Sequence, residues 1–574
     1  MSSDPDAETR AELAALLAAT DLAATDLADR FAGSLEFGTA GLRGVLGAGP
    51  NRMNRAVVLR TTWGLAAYLV ESVQNARSRG VVIGFDGRRK SAVFAEDAAA
   101  VLAAAGIRVH LFRDVAPTPL TAFAVGHLGC AAGVMITASH NPPEYNGYKA
   151  YWTNGAQIIP PIDAGIAEAI ERAPAAQDVP RADLASARAS GTVTSVPASV
   201  ERAYLDGVRA LSVTPLGASG KRDLRVVYTA MHGVGDRLAR AAFAEAGFTH
   251  VTSVPEQSAP DGDFPTVAFP NPEEKGAMDL SFALATKLGA DLVLANDPDA
   301  DRLAAAIPSR GEGPPRGWLQ FTGNQVGVLL GNHVLERGRR EGRRLALVSL
   351  VSSPMLGVIA RELGVHYEET LTGFKWIANR AMDLEARDGL RFVFGYEEAL
   401  GYTVGDLVRD KDGISAAVLF AELAAHLAAE GRTLADELER LYRRYGLFTS
   451  SQVNLTRKGA GGVAEIRGMM DGLRARSPSA IGGLDVVATA DFEARTRTEG
   501  GLTRALELPR SNVLAFELAG GSRIIARPSG TEPKVKFYFD VREVVRADEP
   551  LAAAEARARV VVTALEEAFV AMAT

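Results

Sequence analysis

The sequence predicts an α/β fold of three similar domains followed by a smaller α+β domain. A unit of strand, loop, helix, glycine and strand occurs three times, at separations of roughly 120–140 residues, which is too long for a solenoid repeat. The units span residues 80–112, 224–254 and 345–369. Each helix ends at a glycine, the residue typical of a helix C-terminus. Because strand–helix–strand units pair their strands in parallel, we expect mixed, mostly parallel sheets in these domains.

Four domains account for the 574 residues, at about 150 residues per domain. We place domain 1 at residues 1–200, domain 2 at 201–318, domain 3 at 319–445 and domain 4 at 446–574. Domain 1 begins with a predicted amphipathic helix over residues 8–31. The irregular stretches 173–200 and 308–317 are interpreted as a connection between domains and a loop between strands.

Domain 4 has a different pattern, in which short strands replace the alternating units. The predicted strands are 486–490, 504–508, 513–518, 523–526 and 535–539, and a helix follows from about residue 551. This order is typical of a small α+β domain.

The composition is that of an ordinary soluble globular protein, with 47% hydrophobic and 23% charged residues. The net charge of −7 argues against a broad nucleic-acid surface. The single cysteine, Cys130, excludes an internal disulfide and a cysteine-rich metal site, and its apolar context predicts a core residue. We see no signal peptide and no apolar run of the ~18 residues that span a bilayer. We therefore expect a cytoplasmic protein, a monomer or weak homodimer, without nucleic-acid or membrane partners.

Residues 137–142, Thr-Ala-Ser-His-Asn-Pro, place a small nucleophile between an apolar run and a Pro-Pro turn. Residues 133–136 are predicted to form a short buried strand, which the prolines cannot continue. Ser139 therefore lies where a strand ends, a position that exposes a side chain into a crevice. The neighbouring His140 does not make a hydrolase triad, because adjacent side chains on an extended chain point apart and the G-x-S-x-G context is missing. A serine that only caps the turn is the alternative.

Three carboxylates follow a predicted apolar strand at spacings i, i+2 and i+4: Asp297, Asp299 and Asp301. On an extended segment this spacing projects all three to one side. Three like charges so close repel each other unless a cation neutralises them, and oxygen ligands suit a hard divalent ion, Mg²⁺ first, with Mn²⁺ or Ca²⁺ as alternatives. An EF-hand is excluded because its glycine and final glutamate positions hold Arg302 and Pro308. A solvated acidic turn is the structural alternative.

Residues 527–533, Arg-Pro-Ser-Gly-Thr-Glu-Pro, follow a predicted strand of domain 4. Arg527 offers a bidentate grip on phosphate. Ser529 and Thr531 supply hydroxyls, and Gly530 lets backbone N–H groups approach an anion. A plain surface turn has a similar composition. A Walker A loop is excluded because no Gly-Lys-Ser/Thr follows.

Three further loops carry polar side chains. Residues 395–401, Gly-Tyr-Glu-Glu-Ala-Leu-Gly, hold two carboxylates suited to binding sugar hydroxyls or to pairing with a cation for structure. Residues 371–376, Leu-Thr-Gly-Phe-Lys-Trp, form a strand-end loop with one cation, Lys375, and the Gly-rich loop 37–44 holds Arg43. Ligands tend to bind at strand ends of α/β domains.

In chain order, the Ser-His-Asn-Pro, Asp-x-Asp-x-Asp-Arg, Glu and Arg-Pro-Ser-Gly-Thr loops resemble those of the α-D-phosphohexomutase family, which includes phosphoglucomutases and phosphomannomutases. The resemblance runs from about residue 37 to residue 539 and implies four domains around one central cleft, each lending one loop. Ala399 departs from the serine that many members have two residues after the sugar-binding glutamate. With Gly-Phe-Lys-Trp upstream, this pattern is most similar to the branch that includes mammalian-type phosphoglucomutase 2 and phosphopentomutase.

The resemblance also implies roles for individual residues. Ser139 corresponds to the carrier of the phosphoryl group as phosphoserine. The implied Mg²⁺ ligands are Ser139, Asp297, Asp299 and Asp301. Lys149, in the segment Asn-Gly-Tyr-Lys, is the first candidate for proton transfer and His140 the second. The implied substrate-binding residues are Arg43, Arg302, Thr372, Gly373, Lys375, Glu397, Arg527, Ser529, Gly530 and Thr531.

The function implied by the resemblance is that of a phosphosugar mutase. The expected reaction interconverts glucose 1-phosphate and glucose 6-phosphate through phosphoserine, with Mg²⁺ as cofactor and glucose 1,6-bisphosphate as intermediate and activator. A phosphopentomutase or phosphomannomutase of the same mechanism is the alternative. A sugar-phosphate phosphatase and a non-catalytic sugar-phosphate-binding protein are the rivals from other classes.

Overall fold

A computed structural model describes residues 4–19, 22–38, 41–214, 222–309, 317–457, 461–529 and 534–574. Their strands form four sheets, of six, five, four and eight strands in chain order. The first three sheets contain both parallel and antiparallel pairs, and the fourth contains antiparallel pairs throughout its described strands. The predicted fold of three α/β domains and a C-terminal α+β domain is confirmed.

The first sheet brings the loop of Ser139 beside two other strand ends. Its strands are β1 (Leu42–Val45), β2 (Val81–Phe85), β3 (Val109–Leu111), β4 (Ala132–Ile136), β5 (Tyr145–Tyr151) and β6 (Val193–Ser195), in the order β1-β5-β4-β2-β3-β6. Phe85 pairs with Ile136 in parallel strands, so the loops after β2 and β4 leave the same edge of the sheet. Lys149 pairs with Met135 across the antiparallel β4–β5 contact, so it lies next to the same edge.

Domain 1 begins with two helices where the sequence predicted a single helix. They are α1 (Ala7–Ala18), α2 (Leu22–Phe31), α3 (Arg55–Ser72), α4 (Ala76–Arg79), α5 (Ser91–Ala104), α6 (Thr118–His127), α7 (Ile162–Glu171) and α8 (Leu184–Ala189), with a 3₁₀ turn at Ala176–Asp178. The single helix predicted over residues 8–31 was wrong. Ala19 adopts an extended backbone, with φ −78° and ψ 154°, which ends α1 before α2 begins.

The second sheet carries the aspartate loop at the end of its central strand. After the connecting helix α9 (Ala198–Ala210), its elements are β7 (Val226–Thr229), α10 (Asp236–Glu245), β8 (Val251–Ser253), a 3₁₀ turn (Pro255–Gln257), α11 (Asp279–Leu288), β9 (Leu292–Ala295), β10 (Ala304–Pro308) and β11 (Trp318–Gln320), with strand order β11-β10-β9-β7-β8. Strands β7, β8 and β9 are parallel, and β10 turns back antiparallel to β9. Strand β11 extends this sheet two residues past the boundary proposed at residue 318.

The third sheet ends two of its strands at the predicted sugar-binding loops. Its elements are α12 (Gly323–Arg337), β12 (Arg343–Ser349), α13 (Met355–Glu362), β13 (His366–Thr370), α14 (Phe374–Asp388), β14 (Leu390–Glu397), β15 (Gly401–Val404), α15 (Gly413–Ala429) and α16 (Leu434–Tyr445), with strand order β13-β12-β14-β15. Strand β12 is parallel to β13 and β14, so residues 371–373 and Glu397 lie at one edge.

The fourth sheet is antiparallel in its described strands, and its first and last strands in chain order are neighbours that pack against the last helix. Its elements are β16 (Leu447–Thr456), α17 (Gly462–Ala475), β17 (Ala480–Ile481), β18 (Leu484–Asp491), β19 (Thr496–Glu499), β20 (Leu502–Ala505), β21 (Leu514–Leu518), a 3₁₀ turn (Ala519–Gly521), β22 (Arg523–Pro528), β23 (Lys534–Glu543) and α18 (Leu551–Ala573). The strand predicted at residues 504–508 lies at 502–505, and β16, β17, β19 and α17 are additional to the prediction.

The three glycines predicted to end helices do so in the left-handed region. Gly106, Gly247 and Gly364 have φ of 71°, 86° and 63° and follow α5, α10 and α13 directly after the cap residue. Glycine adopts this conformation without the steric cost of a Cβ atom. The glycine that recurs in each of the three repeats thus marks the C-terminus of a helix.

One continuous cluster of buried apolar side chains extends through all four domains. It includes Met135, Val293, Phe394 and Phe537, one from each sheet, and Cys130. A second cluster fills the other face of the first sheet around Phe94. Close-packed contacts of this extent hold the strand ends in fixed relative positions.

Within the described parts of the chain, no single helix is both long enough and apolar enough to cross a bilayer. Helices α15 and α16 reach that length only as a pair, and they bend by 89° at the break between them.

Candidate active site

Ser139 lies three residues after the end of β4, with 1% of its surface exposed. Its Oγ donates a hydrogen bond of 2.6 Å to Asp297 Oδ2 and lies 3.1 Å from His140 Nδ1. Its backbone has a φ of 54°, in the left-handed region that costs a residue with a Cβ atom roughly 1 kcal/mol or more. Strain of this kind persists only where surrounding contacts impose it.

The left-handed backbone also corrects one sequence argument. We expected the side chains of Ser139 and His140 to point apart, because neighbouring side chains do so on an extended chain. The turn at Ser139 instead brings Oγ and the imidazole to hydrogen-bond distance. Burial, together with the charges of Arg302 and Arg43, lowers the pKa of His140 well below its ordinary value, so the ring is neutral at pH 7.

The three aspartates predicted to bind a metal lie together and are almost completely buried. One carboxylate oxygen from each of Asp297, Asp299 and Asp301 lies within 4.8 Å of the others. Asp299 Oδ1 and Asp301 Oδ1 are buried oxygens without a hydrogen-bond partner in the described structure. Buried polar atoms without partners are uncommon and costly. An all-oxygen donor set with two free oxygens fits a hard divalent cation.

Two lysines neutralise part of this negative charge. Lys149 Nζ lies 2.7 Å from Asp299 Oδ2 and 2.8 Å from Asp301 Oδ2, and Lys411 Nζ lies 3.2 Å from Asp301 Oδ2. Burial opposes ionisation of Asp299, but Lys149 outweighs it and holds the pKa of this carboxyl below its ordinary value. Burial also acts to lower the pKa of Lys149, and the two carboxylates outweigh it and raise this pKa.

Asp297 has no such lysine. Its carboxylate accepts from Ser139 Oγ and from the backbone N–H of Arg302, at 2.6 and 2.9 Å. Burial, reinforced by the charges of Asp299 and Asp301, raises the pKa of Asp297 well above its ordinary value. A cation bound among the three carboxylates would relieve this repulsion.

Two arginines predicted to bind substrate lie at the edge of the aspartate cluster. Arg43 donates to Asn141 Oδ1 at 3.2 Å, next to the Ser139 loop. Arg302 Nε lies 3.9 Å from Asp297 Oδ2. The Nε atoms of both arginines are buried without a hydrogen-bond partner in the described structure. They are therefore available to an anionic ligand.

Backbone hydrogen bonds lock the aspartate loop to the domains on either side. The N–H of Thr118 donates to the carbonyl of Asp299 at 2.9 Å, which joins domain 1 to domain 2. The N–H of Leu303 donates to the carbonyl of Leu400 at 3.0 Å, which joins domain 2 to domain 3. The cluster is therefore assembled by three domains.

Gly413, the first residue of α15, passes so close to this loop that a side chain does not fit. A Cβ atom there would lie 2.3 Å from the carbonyl oxygen of Arg302 and 2.8 Å from that of Ala300. Gly413→Ala is expected to destabilise the protein by about 1–3 kcal/mol, measured as a lower midpoint of urea unfolding.

Gly468→Ala is the matched control for Gly413→Ala. Gly468 lies inside α17, and a Cβ atom there would meet nothing within 4 Å. This change is expected to stabilise the protein by roughly 0.5–1 kcal/mol, the helix propensity gained. Equal midpoints for the two variants would contradict the close approach at Gly413.

The predicted sugar-binding residues lie at the carboxyl edge of the third sheet, with two corrections. Glu397 is the last residue of β14 rather than part of a loop, and it accepts from the N–H of Gly373 at 2.6 Å. Lys375 lies in the first turn of α14 rather than in the loop, and its Nζ donates to the carbonyl of Gly38 at 3.3 Å. Thr372 Oγ1 is buried without a hydrogen-bond partner in the described structure.

The phosphate-binding loop predicted in domain 4 is described in part. Arg527 belongs to β22, which continues to Pro528, so it lies in a strand rather than after one. Its guanidinium lies close enough to Glu398 and to the Tyr538 hydroxyl for its charge to lower the pKa of both groups against the larger effect of their burial. Ser529 donates its N–H to the carbonyl of Lys534 at 2.7 Å. Gly530 and Thr531 lie outside the described residues.

Three residues of this site were missed by the sequence reasoning. Thr118 Oγ1 donates to Asp299 Oδ2 at 2.6 Å, Lys411 pairs with Asp301, and Arg88 donates to the carbonyl of Ser139 at 2.6 Å. A signal existed for Arg88, because Asp-Gly-Arg-Arg follows β2, the parallel neighbour of β4. For Lys411 the signal was Asp-Lys-Asp-Gly directly before an apolar helix.

Sequence models of the four phosphoglucomutase/phosphomannomutase domains match this chain in order. The alpha/beta/alpha domains I, II and III match residues 34–177, 202–311 and 322–445, and the C-terminal domain matches 482–558. The chain belongs to the phosphoglucomutase/phosphomannomutase family. The resemblance inferred from the four loops is thereby confirmed.

This family member aligns with several relatives over most of the length of both chains. It is 42% identical over 496 residues to a probable phosphomannomutase of Haemophilus influenzae, with 85% of this chain and 93% of that one covered. It is 40% identical over 538 residues to the phosphopentomutase of Homo sapiens, with 89% and 85% covered. It is 37% identical over 510 residues to the phosphoglucomutase of Staphylococcus epidermidis, with 88% and 91% covered.

A solved structure shows the same fold. The open form of the phosphoglucomutase parafusin from Paramecium matches with a TM-score of 0.67 and 19% identity, covering 94% of this chain and 96% of the other. This family member is a phosphosugar mutase, an enzyme of the isomerase class. Its relatives are named for three different sugars.

Proposed function

We propose that this phosphosugar mutase interconverts glucose 1-phosphate and glucose 6-phosphate, with Ser139 as the phosphoryl carrier and glucose 1,6-bisphosphate as intermediate. The observation that supports the carrier most directly is the 2.6 Å contact between Ser139 Oγ and Asp297 in a buried cluster of three aspartates. A phosphoryl group on this oxygen adds negative charge beside three carboxylates. The site therefore needs cations, and Lys149 and Arg302 supply two of them.

We propose Mg²⁺ as the resident cation, held by Asp297, Asp299, Asp301 and the group on Ser139. The partnerless oxygens of Asp299 and Asp301 fit such an ion. Bound there, the ion would act as a Lewis acid that withdraws charge from the transferring phosphoryl group.

The residues around Ser139 account for the proton in each transfer. When a sugar hydroxyl takes the phosphoryl group from Ser139, the P–Oγ bond breaks, a P–O bond to the sugar forms, and the hydroxyl proton ends on Oγ. We propose Lys149 as the first candidate for proton transfer: it is buried, and its carboxylate partners keep it protonated, so it gives a proton to the leaving Oγ and takes the proton of the sugar hydroxyl in its place. Neutral His140, with Nδ1 at 3.1 Å, is the second candidate and faces Oγ itself. Phosphoryl transfer otherwise asks mainly for positioning and charge stabilisation.

The remaining loops are proposed to hold the substrate. Glu397 accepts sugar hydroxyls, with Thr372, Gly373 and Lys375 beside it. Arg527 and Ser529 hold the phosphate that is not transferred, together with Gly530 and Thr531. Arg43 and Arg302 hold the transferring phosphate. Because the bisphosphate must turn over, the Arg527 group meets either phosphate, and an arginine fork with hydroxyls suits a generic dianion.

A pentose phosphate is the second candidate substrate. Position 399 holds alanine where many family members have serine, a departure that likens the chain to the phosphopentomutase branch, and a relative at 40% identity is named phosphopentomutase. Mannose phosphate follows, on the relative named probable phosphomannomutase. A cytoplasmic location and a monomer or weak dimer remain proposals from the sequence.

Comparison of glucose, ribose and mannose 1-phosphates as substrates tests the sugar assignment. We expect glucose 1-phosphate to have the highest kcat/KM when glucose 1,6-bisphosphate is present to phosphorylate the enzyme. A higher kcat/KM for ribose 1-phosphate would replace glucose by pentose. Release of free phosphate in place of an isomer would contradict the mutase reaction itself.

Glu397 predicts a pH dependence near neutrality. Burial, together with Glu398, raises the pKa of Glu397 to about 7, although Lys411 opposes the shift. A raised pKa favours the protonated form in the fold, so this group's contribution to stability is lost as pH rises towards 7. Because the ionised carboxylate is the better acceptor for sugar hydroxyls, kcat/KM is expected to rise with pH through about 7.

Glu397→Gln is the control for this profile. The variant keeps a carbonyl acceptor but does not titrate, so its kcat/KM should lose the limb near 7. The change in kcat/KM that comes from the second ionisation of the substrate phosphate, with a pKa of about 6, should remain. An unchanged limb near 7 in the variant would assign it to another group.

A further inference from the structure

Both peptide groups that flank Ser139 are held by buried side chains. The N–H of Ser139 donates to Thr137 Oγ1 at 2.8 Å, and its carbonyl accepts from Arg88 Nη2 at 2.6 Å. The φ and ψ angles are rotations of these two planar groups about Cα. Fixing both planes therefore fixes φ at 54° and with it the direction in which Oγ points.

The two holding groups share one carboxylate. Thr137 Oγ1 donates to Asp86 Oδ2 at 2.6 Å, and the same oxygen lies 3.5 Å from Arg88 Nε. Ser91 Oγ donates to the other oxygen, Asp86 Oδ1, at 2.7 Å. Asp86 and Arg88 are 2% and 4% exposed, so the pair is screened from water. Asp86 thus links the N–H side and the carbonyl side of Ser139.

Arg88 extends this hold over the rest of the loop. Its guanidinium also donates to the carbonyls of Asn141, Pro142 and Tyr145, the last two at 2.8 and 3.1 Å. The ring of Phe264, from domain 2, lies 4.9 Å from its central carbon. A planar fork of N–H donors can bind several carbonyls at once, and a lysine ammonium cannot reproduce that geometry.

We propose that Asp86, Arg88 and Thr137 are positioning residues that impose the left-handed backbone of Ser139 and so aim its Oγ at the aspartate cluster. This inference rests on the proposed role of Ser139 as phosphoryl carrier. In the described structure, the hydrogen bonds of the three side chains go to one another and to the Ser139 loop and its neighbours, and none goes to the three aspartates. Their loss should therefore slow phosphoryl transfer and leave sugar-phosphate binding unchanged.

Thr137→Val tests the proposal with an isosteric change that removes only the hydroxyl. We expect the rate of transfer from phosphorylated Ser139 to the sugar to fall about tenfold, the worth of one lost buried hydrogen bond. The KM for the sugar phosphate should stay within about twofold, and Thr137→Ser, which keeps the hydroxyl, should restore the rate. Thr62→Val, which removes a buried hydroxyl bonded to the carbonyl of Val58 at 2.8 Å and to the Tyr148 hydroxyl at 3.3 Å, is the control and should match wild type.

Arg88→Lys provides a second, stronger test. Loss of the fork is expected to lower kcat about 100-fold, the effect of a small misplacement of a reacting group, again without a matching rise in KM. If this variant does not fold, the comparison of Thr137→Val with Thr137→Ser tests the proposal by itself. A wild-type transfer rate in Thr137→Val, or a rise in KM that accounts for the loss, would overturn the proposal. A wild-type enzyme that takes no phosphoryl group on Ser139 would instead overturn the proposed function.

Discussion

Ser139→Ala is expected to lower mutase turnover by roughly 10⁴-fold or more, because covalent catalysis has no substitute for a missing nucleophile. The side chain is 1% exposed, and its Oγ contacts Asp297 and His140. The described structure places no other hydroxyl on Asp297. Intact mass after incubation with glucose 1,6-bisphosphate should show one added phosphoryl group on the wild-type enzyme and none on the variant.

Ser281→Ala is the matched control for this loss. Ser281 is also fully buried, and its Oγ has no hydrogen-bond partner in the described structure. It lies in α11 and bonds no residue of the aspartate loop in the described structure, so its removal should leave turnover and labelling at wild-type levels. Labelling that survives in Ser139→Ala would transfer the carrier role to another residue.

Removal of divalent cations is expected to abolish phosphoryl transfer and to leave the fold intact. The three aspartates are buried, yet two of their oxygens have no protein partner. Asp297→Asn changes charge with little change in shape, since an amide can accept from the N–H of Arg302 and donate to Ser139 Oγ. We expect kcat to fall about 10²–10³-fold, as for other losses of transition-state charge stabilisation.

Binding itself gives a readout that does not depend on activity. Mg²⁺ at about 100 times its Kd should stabilise the wild-type protein by about 2.7 kcal/mol, seen as a higher midpoint of thermal unfolding. Asp297→Asn should lose most of this shift. Asp485→Asn, an exposed position in β18, should keep it. Full activity of the wild-type enzyme in excess chelator would remove the metal from the mechanism.

The aspartate cluster shows what local patterns predict well. The spacing i, i+2 and i+4 placed the three carboxylates on one side of an extended segment, but such a segment would keep the first and last about 13 Å apart. The chain instead turns at these residues, with the N–H of Ala300 donating to the carbonyl of Asp297 at 2.8 Å and a φ of 58° at Ala300. This local turn brings the carboxylate oxygens within 4.8 Å of one another. The glycine stops of the three repeats are equally local, because a left-handed residue after a helix is a property of a few consecutive residues. Both predictions needed no knowledge of distant parts of the chain.

The partners of these aspartates were beyond such patterns. Thr118 and Asp299 are separated by 181 residues, and Lys149 and Asp301 by 152. Without a fold, nothing in either segment indicates that they meet. Lys149 entered the prediction through the family resemblance, and Thr118 did not enter it at all.

The sequence by itself determined the α/β repeats, the helix stops and the residue types of the four loops, because these depend on backbone preferences and polarity over short stretches. Only the tertiary structure decided the conformation of Ser139. An isolated Thr-Ala-Ser-His-Asn-Pro segment has no reason to hold a strained, left-handed serine. Here it is imposed by Arg88, 51 residues away, and by Asp86 through Thr137. The cost of that strain is offset only when the folded sheet brings these strand ends to one edge.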